Sequence, residues 1–230
     1  MPGIRHFFKY SLPQAVFIGS LMFSLNTLAD GLVSSSMTVI DDYTLQGKTN
    51  FITGIETGDA DGNINVVIEI PKGTTGKWEV SSEDPTKIIW EFKKGKPRTV
   101  DYLNGYPANY GTVPKTAMPA EFGGDGEPID IVIMGDPLPR GEIIKAKVIG
   151  ILNLQEGDEF DGKLIGVRVG SVEAQANSWQ ELNKLIPGSV DAVSSWFENY
   201  KGPGEIKLTN IGSAEQAMEI VAASASAFGK

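Results

Sequence analysis

The chain predicts an α+β fold, a closed or nearly closed β-barrel flanked by helices towards its C-terminus. Three observations carry this. Short apolar runs rich in Val and Ile recur between Asn65 and Val169, separated by Gly, Pro, Asn and Asp, as strands bounded by turns do. Helix-start signals gather at Ser178, Ser189 and Ser213, after the strands, and that order argues α+β. Cysteine is absent, so a hydrophobic core and not a disulfide framework must hold the domain.

The elements follow in order. Asp30 to Gly62 reads as an irregular leader with one strand near Ser36 to Ile40. Asn65 to Ile70 (N-V-V-I-E-I) is a strand closed by Pro71. Lys77 to Val80 and Ile88 to Phe92 are the next two, split by the turn Ser81 to Pro85. Thr99 to Phe122 is rich in Pro, Gly, Asn and Tyr and reads as a long loop with local structure, which inside a compact domain is usually functional. Ile129 to Met134, Ile143 to Leu152 and Lys163 to Val169 complete the strands. Ser178-x-x-Glu181 is a capping box opening a helix over Trp179 to Ile186, stopped by Pro187. Ser189 is expected to cap a second helix, with Val193, Trp196, Phe197 and Tyr200 as its apolar stripe. Ser213-x-x-Gln216 opens a third, running towards Phe228.

The N-terminus is set apart from this domain. Arg5, His6 and Lys9 precede an apolar run from Ala15 to Leu25, and Thr27-Leu28-Ala29 offers small residues at −3 and −1. That is the pattern of a secretory signal peptide over residues 1–29, cleaved after Ala29, with one domain over 30–230. The run is too short and interrupted to span a bilayer. A soluble mature protein with a periplasmic or secreted location is expected, without membrane association after cleavage. Loss of Arg5 and Lys9 takes the net charge from −9 to −11. Such a surface repels nucleic acid and anionic lipid and suits cations.

Composition also restricts chemistry. The single histidine, His6, lies in the signal segment. A Ser-His-Asp triad, a thiolate or imidazole zinc site and a cysteine nucleophile are therefore unavailable to residues 30–230. Hydrolysis would have to run on carboxylates, Lys, Arg, Tyr and a hard metal.

The stretch Gly123 to Met134 supplies such a set. Asp125, Glu127 and Asp130 fall within six residues, at the mouth of an apolar strand. An unpaired carboxylate beside buried sequence is costly, and Mg²⁺, held by a few carboxylates and substrate phosphates, is one partner that would relieve it. A solvated acidic turn would carry the same letters, so the rest of the chain has to decide. Glu156 to Lys163 (E-G-D-E-F-D-G-K) is a second acid cluster, containing Glu156 and Asp161. Two such turns are what a site for several metals needs. Glu69 sits mid-strand among apolar residues, while Lys77 and Glu79 share one face of a strand. Arg98 to Gly111 brings Arg98, Tyr102, Tyr106 and Tyr110 into one loop, and Arg forks onto phosphate by two parallel bonds. Tyr200-Lys201 closes the second helix, where a lysine also suits the helix dipole.

Taken together, V-V-I-E-I-P, K-W-E, R-x₇-Y-P-A-N-Y-G, D-G-E-P-I-D-I-V, E-x₄-D-G-K-L and F-E-N-Y-K stand in the order of the family I soluble inorganic pyrophosphatases. Each motif alone is weak, but six in order over Ile64 to Lys201 identify the chain as resembling that family. The resemblance implies an oligonucleotide-binding-like five-stranded barrel and Mg²⁺-dependent hydrolysis of pyrophosphate to two phosphates. It implies metal ligation by Asp125, Asp130, Asp161, Glu156 and, through water, Glu69. It places Lys77, Arg98, Lys163, Tyr200 and Lys201 against phosphate, with Tyr106 and Tyr110 as the active-site tyrosines, and Glu127 at the general base. Two positions depart from the family pattern, which has Asp where this chain has Glu127 and Glu156. Each carboxylate is extended by about 1.5 Å, one carbon–carbon bond, which is expected to weaken activity or alter metal preference. A homo-oligomer is expected. A pyrophosphatase-like protein that binds phosphate, polyphosphate or divalent metal without efficient turnover is the alternative reading. A barrel reading single-stranded nucleic acid would need a positive groove, against the charge of this chain.

Overall fold

The computed structural model describes residues 27–28, 31–124 and 126–229. The expected cleavage point after Ala29, nearly all of the expected signal segment and the metal-ligand candidate Asp125 lie outside the described residues. Five strands close into a barrel: β1 (Ile64–Ile70), β2 (Asn109–Thr112), β3 (Asp130–Met134), β4 (Ile143–Glu156) and β5 (Lys163–Arg168). Their order around the barrel is β1-β2-β3-β5-β4, with β4 pairing back onto β1. Only the β3–β5 pair among these is parallel. Closure leaves these five strands no open edge between them.

Alternation along the strands sorts the side chains onto two faces. Ile131 and Ile133 of β3 join Ile64, Val66, Ile68, Ile144 and Leu164 in one core. The helix α3 (Ala214–Ala227) completes that core through Ala217, Ile220 and Val221. Val132 and Met134, one residue out of phase, join Ile165, Val167 and Tyr110 in the second core. That core is covered by α1 (Trp179–Leu185) and α2 (Ser189–Asn199), and by a smaller sheet. The smaller sheet orders its strands Thr38–Asp41, Thr44–Gln46, Lys87–Trp90 and Trp78–Val80. A further strand, β6 (Ile206–Gly212), pairs with the outer half of β4. Among the described residues no helix is long and apolar enough to cross a membrane.

Three expectations are corrected. The stretch Thr99 to Phe122 is not a loop throughout, because Asn109–Thr112 is a full barrel strand between β1 and β3. Gly111 makes this possible: a Cβ there would lie 2.1 Å from the Val67 carbonyl oxygen, so the strands approach too closely for any side chain. The strand Ile206–Gly212 was hidden between two helical signals. Ser189 is the first helical residue and not the cap; Gly188 takes the left-handed N-cap position, at φ 77°. The Ser213 capping box forms in full, with Ser213 Oγ accepting from Gln216 N and Gln216 Oε1 accepting from Ser213 N. At Ser178 only half forms, since Glu181 turns to the Asn177 amide.

Candidate active site

The two-residue period that builds the second core also delivers the polar residues. Asp130 precedes Val132 and Met134 on the same face of β3, and Lys163 precedes Ile165 and Val167 on the same face of β5. Tyr110 stands opposite Val132 on β2. The apolar stripe therefore turns polar at one end of the sheet, and a cavity of about 230 Å³ opens there. Ten residues singled out from the sequence line it: Lys77, Arg98, Tyr106, Tyr110, Asp130, Glu156, Asp161, Lys163, Tyr200 and Lys201. Residues separated by more than 120 positions thus meet around one space. Glu69 and Glu127 do not line it. They line an adjoining cavity, which shares Lys77 and Asp130 with the first.

Lys163 is the centre of the charge network. Its Nζ lies 2.9 Å from Asp130 Oδ2 and 2.8 Å from Asp161 Oδ1, with only 6% of the side chain exposed. The Tyr110 ring centroid is 5.3 Å from the same ammonium and that of Phe197 5.9 Å, so aromatic faces add to the stabilisation. Burial alone would lower the Lys163 pKa, but Asp130 and Asp161 hold it well above the usual lysine range. Burial would likewise raise Asp130, and Lys163 outweighs it, keeping the carboxyl below its ordinary value. Burial pushes the Tyr110 hydroxyl up, reinforced by the Asp130 and Asp161 charges, so it stays protonated and able to donate.

A second network lies on the Glu69 side. Glu69 Oε1 accepts from Val80 N at 2.7 Å, and the residue is 5% exposed. Burial pushes its carboxyl up to about 8, with Lys77 opposing. The Lys77 ammonium pairs with Glu79 at 3.2 Å; burial works against its charge, but Glu69, Glu79 and Asp130 raise its pKa. The rim is built from longer-range pairings. Arg98 Nη1 contacts both Glu91 oxygens, at 2.7 and 3.1 Å. Lys201 pairs with Glu156. Tyr200 stacks on Trp196, with centroids 4.7 Å apart and an interplanar angle of 3°. Tyr106 packs against the same Trp196 ring, with centroids 5.0 Å apart, and burial raises its hydroxyl above the ordinary tyrosine range.

Inorganic pyrophosphatases are the family whose sequence model matches residues 66–228. The chain belongs to that family. Two relatives show how far the likeness runs. The inorganic pyrophosphatase of Bos taurus is 36% identical over 152 residues, 60% of this chain and 53% of that one. The mitochondrial inorganic pyrophosphatase of Saccharomyces cerevisiae is 31% identical over 181 residues, 70% of this chain and 58% of that one. The chain therefore spans about half the length of the curated relatives it matches. In structure it resembles the type I inorganic pyrophosphatase of Toxoplasma gondii, with a TM-score of 0.75 at 26% identity over 86% of this chain and 97% of that one. The oligonucleotide-binding-like α+β barrel is thus the fold of this family member.

The donor set bears on the metal that such a family implies. Asp130, Asp161, Glu127, Glu156 and Glu69 offer oxygen alone, as hard divalent cations require. Asp130 and Asp161 already converge on one positive charge, the Lys163 ammonium. Among the described residues no three carboxylates close around a single point. The oxygens that Asp130 and Asp161 turn towards one cation therefore fit a hard divalent ion.

Sequence reasoning passed over Glu159, Phe160 and Phe197, which also line the cavity. Glu159 and Phe160 lie inside the second acid cluster and were legible there. Phe197 was read as core, which it also is. Glu91, the partner of Arg98, had no signal of its own.

Proposed function

We propose that this chain hydrolyses inorganic pyrophosphate to two phosphates with Mg²⁺, and that it does so after export and removal of residues 1–29. What carries the reading is the cavity itself. Lys77, Arg98, Lys163 and Lys201 line it beside Asp130, Asp161 and Glu156, an arrangement suited to a polyanion that arrives with its own cations.

In this reading Asp125, Asp130, Asp161 and Glu156 would hold the metal, with Glu69 reaching it through water. When bound, the metal neutralises phosphate charge and lowers the pKa of water. The chain's own residues do the rest. Lys163, released from one carboxylate, offers an ammonium proton to a phosphate oxygen. Arg98 and Lys77, which line the same cavity, would offer further cations to the substrate, and the Tyr106, Tyr110 and Tyr200 hydroxyls would hydrogen-bond it. The water oxygen would bond one phosphorus as the bridging P–O bond breaks, and the water proton would pass to the carboxylate of Glu127, which lines the adjoining cavity that shares Lys77 and Asp130 with the first. Lysine and arginine charges then stabilise the departing phosphate. Glu at 127 and 156, in place of the Asp of the family pattern, puts each carboxylate further from its backbone; a weakened rate or a shifted metal preference is the expected consequence.

Phosphate release from pyrophosphate by residues 30–230, with Mg²⁺, Mn²⁺ or Zn²⁺ supplied in turn, tests the activity. Turnover with at least one metal is expected. A folded protein silent with all three would favour a binding protein instead. N-terminal sequencing of the exported protein tests the location, with Asp30 as the expected first residue.

A further inference from the structure

The hairpin that follows Glu91 leaves the candidate site at Arg98 and carries charge outwards. Phe92 pairs with Pro97 and Lys93 with Lys96, and Arg98 N donates to Glu91 O at 2.8 Å, one step nearer the cavity. Opposed residues share a face, and faces alternate along a strand. Glu91, Arg98, Lys93 and Lys96 therefore share one face. Phe92 takes the other, where its ring meets Tyr43 edge-on at 5.1 Å. The turn is Lys94-Gly95, with φ of 53° and 75°, the paired left-handed geometry that matches strand twist and keeps such hairpins regular.

Lys48, Lys184 and Lys207 are exposed singly, whereas three lysines gather on this one hairpin. Lys77, Lys87, Lys115, Lys145, Lys163 and Lys201 each sit in an ion pair. Lys93, Lys94 and Lys96 are exposed, and among the described residues no salt bridge or side-chain hydrogen bond engages them. The acid of their hairpin, Glu91, is already committed to Arg98. In a chain of net charge −9, a run of unpaired cations beside an anion-binding cavity concentrates anions locally.

Pyrophosphate is accommodated by the cations inside the cavity. Lys96 lies two residues beyond Arg98 on the same face, about 7 Å along an extended strand, and neither it nor Lys93 lines the cavity. We propose that Lys93 and Lys96 form an exosite for the distal phosphates of linear phosphoanhydrides longer than pyrophosphate, tripolyphosphate being the shortest. The inference rests on the cavity binding pyrophosphate, as proposed above.

Calorimetry with sodium tripolyphosphate and sodium pyrophosphate, in EDTA so that no turnover intervenes, tests it on three chains: wild type, K93E/K96E, and K48E/K184E. The last makes the same charge change at two exposed lysines elsewhere. The expected result is tripolyphosphate binding weakened about tenfold in K93E/K96E alone, with pyrophosphate altered less than about twofold. Equal weakening of both ligands would overturn the exosite and leave simple steering. Tripolyphosphate affinity unchanged in K93E/K96E would overturn it too, and loss of binding to phosphatidylglycerol vesicles in that case would assign the lysines to a lipid surface. Phosphate release from pyrophosphate, assayed in parallel with Mg²⁺, reads the hydrolytic proposal separately. Selective loss of tripolyphosphate binding without any hydrolysis would keep the exosite and reject the enzyme.

Discussion

Lys163 and Lys201 each meet a carboxylate at the same cavity, but at different depths. Lys163 is enclosed between Asp130 and Asp161, with 6% of its side chain exposed, while Lys201 and Glu156 are 28% and 42% exposed at the rim. Desolvation makes a buried charge depend on its partners, so removing one leaves the others uncompensated. At the rim, water and salt take over the same duty. The inner triad is therefore part of the fold as well as the site, whereas the rim pair belongs to the site alone. The difference predicts that the two lysines, equivalent in charge, will separate sharply when substituted.

The largest effect is expected from Lys163→Met, which should cost about 3 kcal/mol in metal-free urea unfolding and remove turnover. Added Mg²⁺ should restore more stability to this variant than to wild type, because two uncompensated carboxylates are left to receive it. Equal stabilisation of both proteins would break the argument that Asp130 and Asp161 converge on a cation position. Arg98→Ala comes next. Arg98 and Glu91 are about a quarter exposed, so a loss near 1 kcal/mol is expected, with the larger change in KM for pyrophosphate. A kcat effect alone would move Arg98 from binding to positioning.

Lys201→Ala should leave stability within about 0.5 kcal/mol of wild type while lowering kcat/KM on the order of tenfold, a loss that shrinks as salt is raised. A destabilisation matching that of Lys163→Met would erase the distinction between depth and rim. The smallest effect calibrates the surface end of the scale. Asp84 is held at about 2 by Thr86 hydrogen bonding and then by Lys87. Its folded pKa lies below the unfolded value of 3.8. Its contribution is therefore full above about 4 and lost as pH falls through about 2. A carboxyl titration followed by NMR should find that midpoint at Asp84, and a midpoint at the ordinary aspartate value would contradict it.

Legibility from sequence followed the same division. The dry parts were readable because their pattern is local: the Ile129 to Met134 run, the Val193, Trp196, Phe197 and Tyr200 stripe and the Ser213 box each carry their own signal. The acid turns were readable because carboxylates beside apolar sequence need a partner. The strand Asn109–Thr112 was not, since four residues containing an obligatory glycine show no alternation, and neighbouring strands decide their conformation. Pairings across the chain were equally hidden. Glu91 meets Arg98 only because a hairpin folds between them, and Asp130 meets Lys163 only because β3 and β5 run side by side. Glu127 fell in the adjoining cavity for a similar reason: it lies before the strand, where no alternation fixes its direction.

One assay addresses the central claim, that Asp130 organises a metal-dependent phosphate site at the polar end of the sheet. Phosphate release from pyrophosphate would be followed for residues 30–230 and for Asp130→Asn, with Mg²⁺ titrated against each. The account predicts turnover in the parent, and a loss of at least about 10²-fold in the variant that added Mg²⁺ does not recover. Turnover retained in a folded Asp130→Asn protein would contradict it.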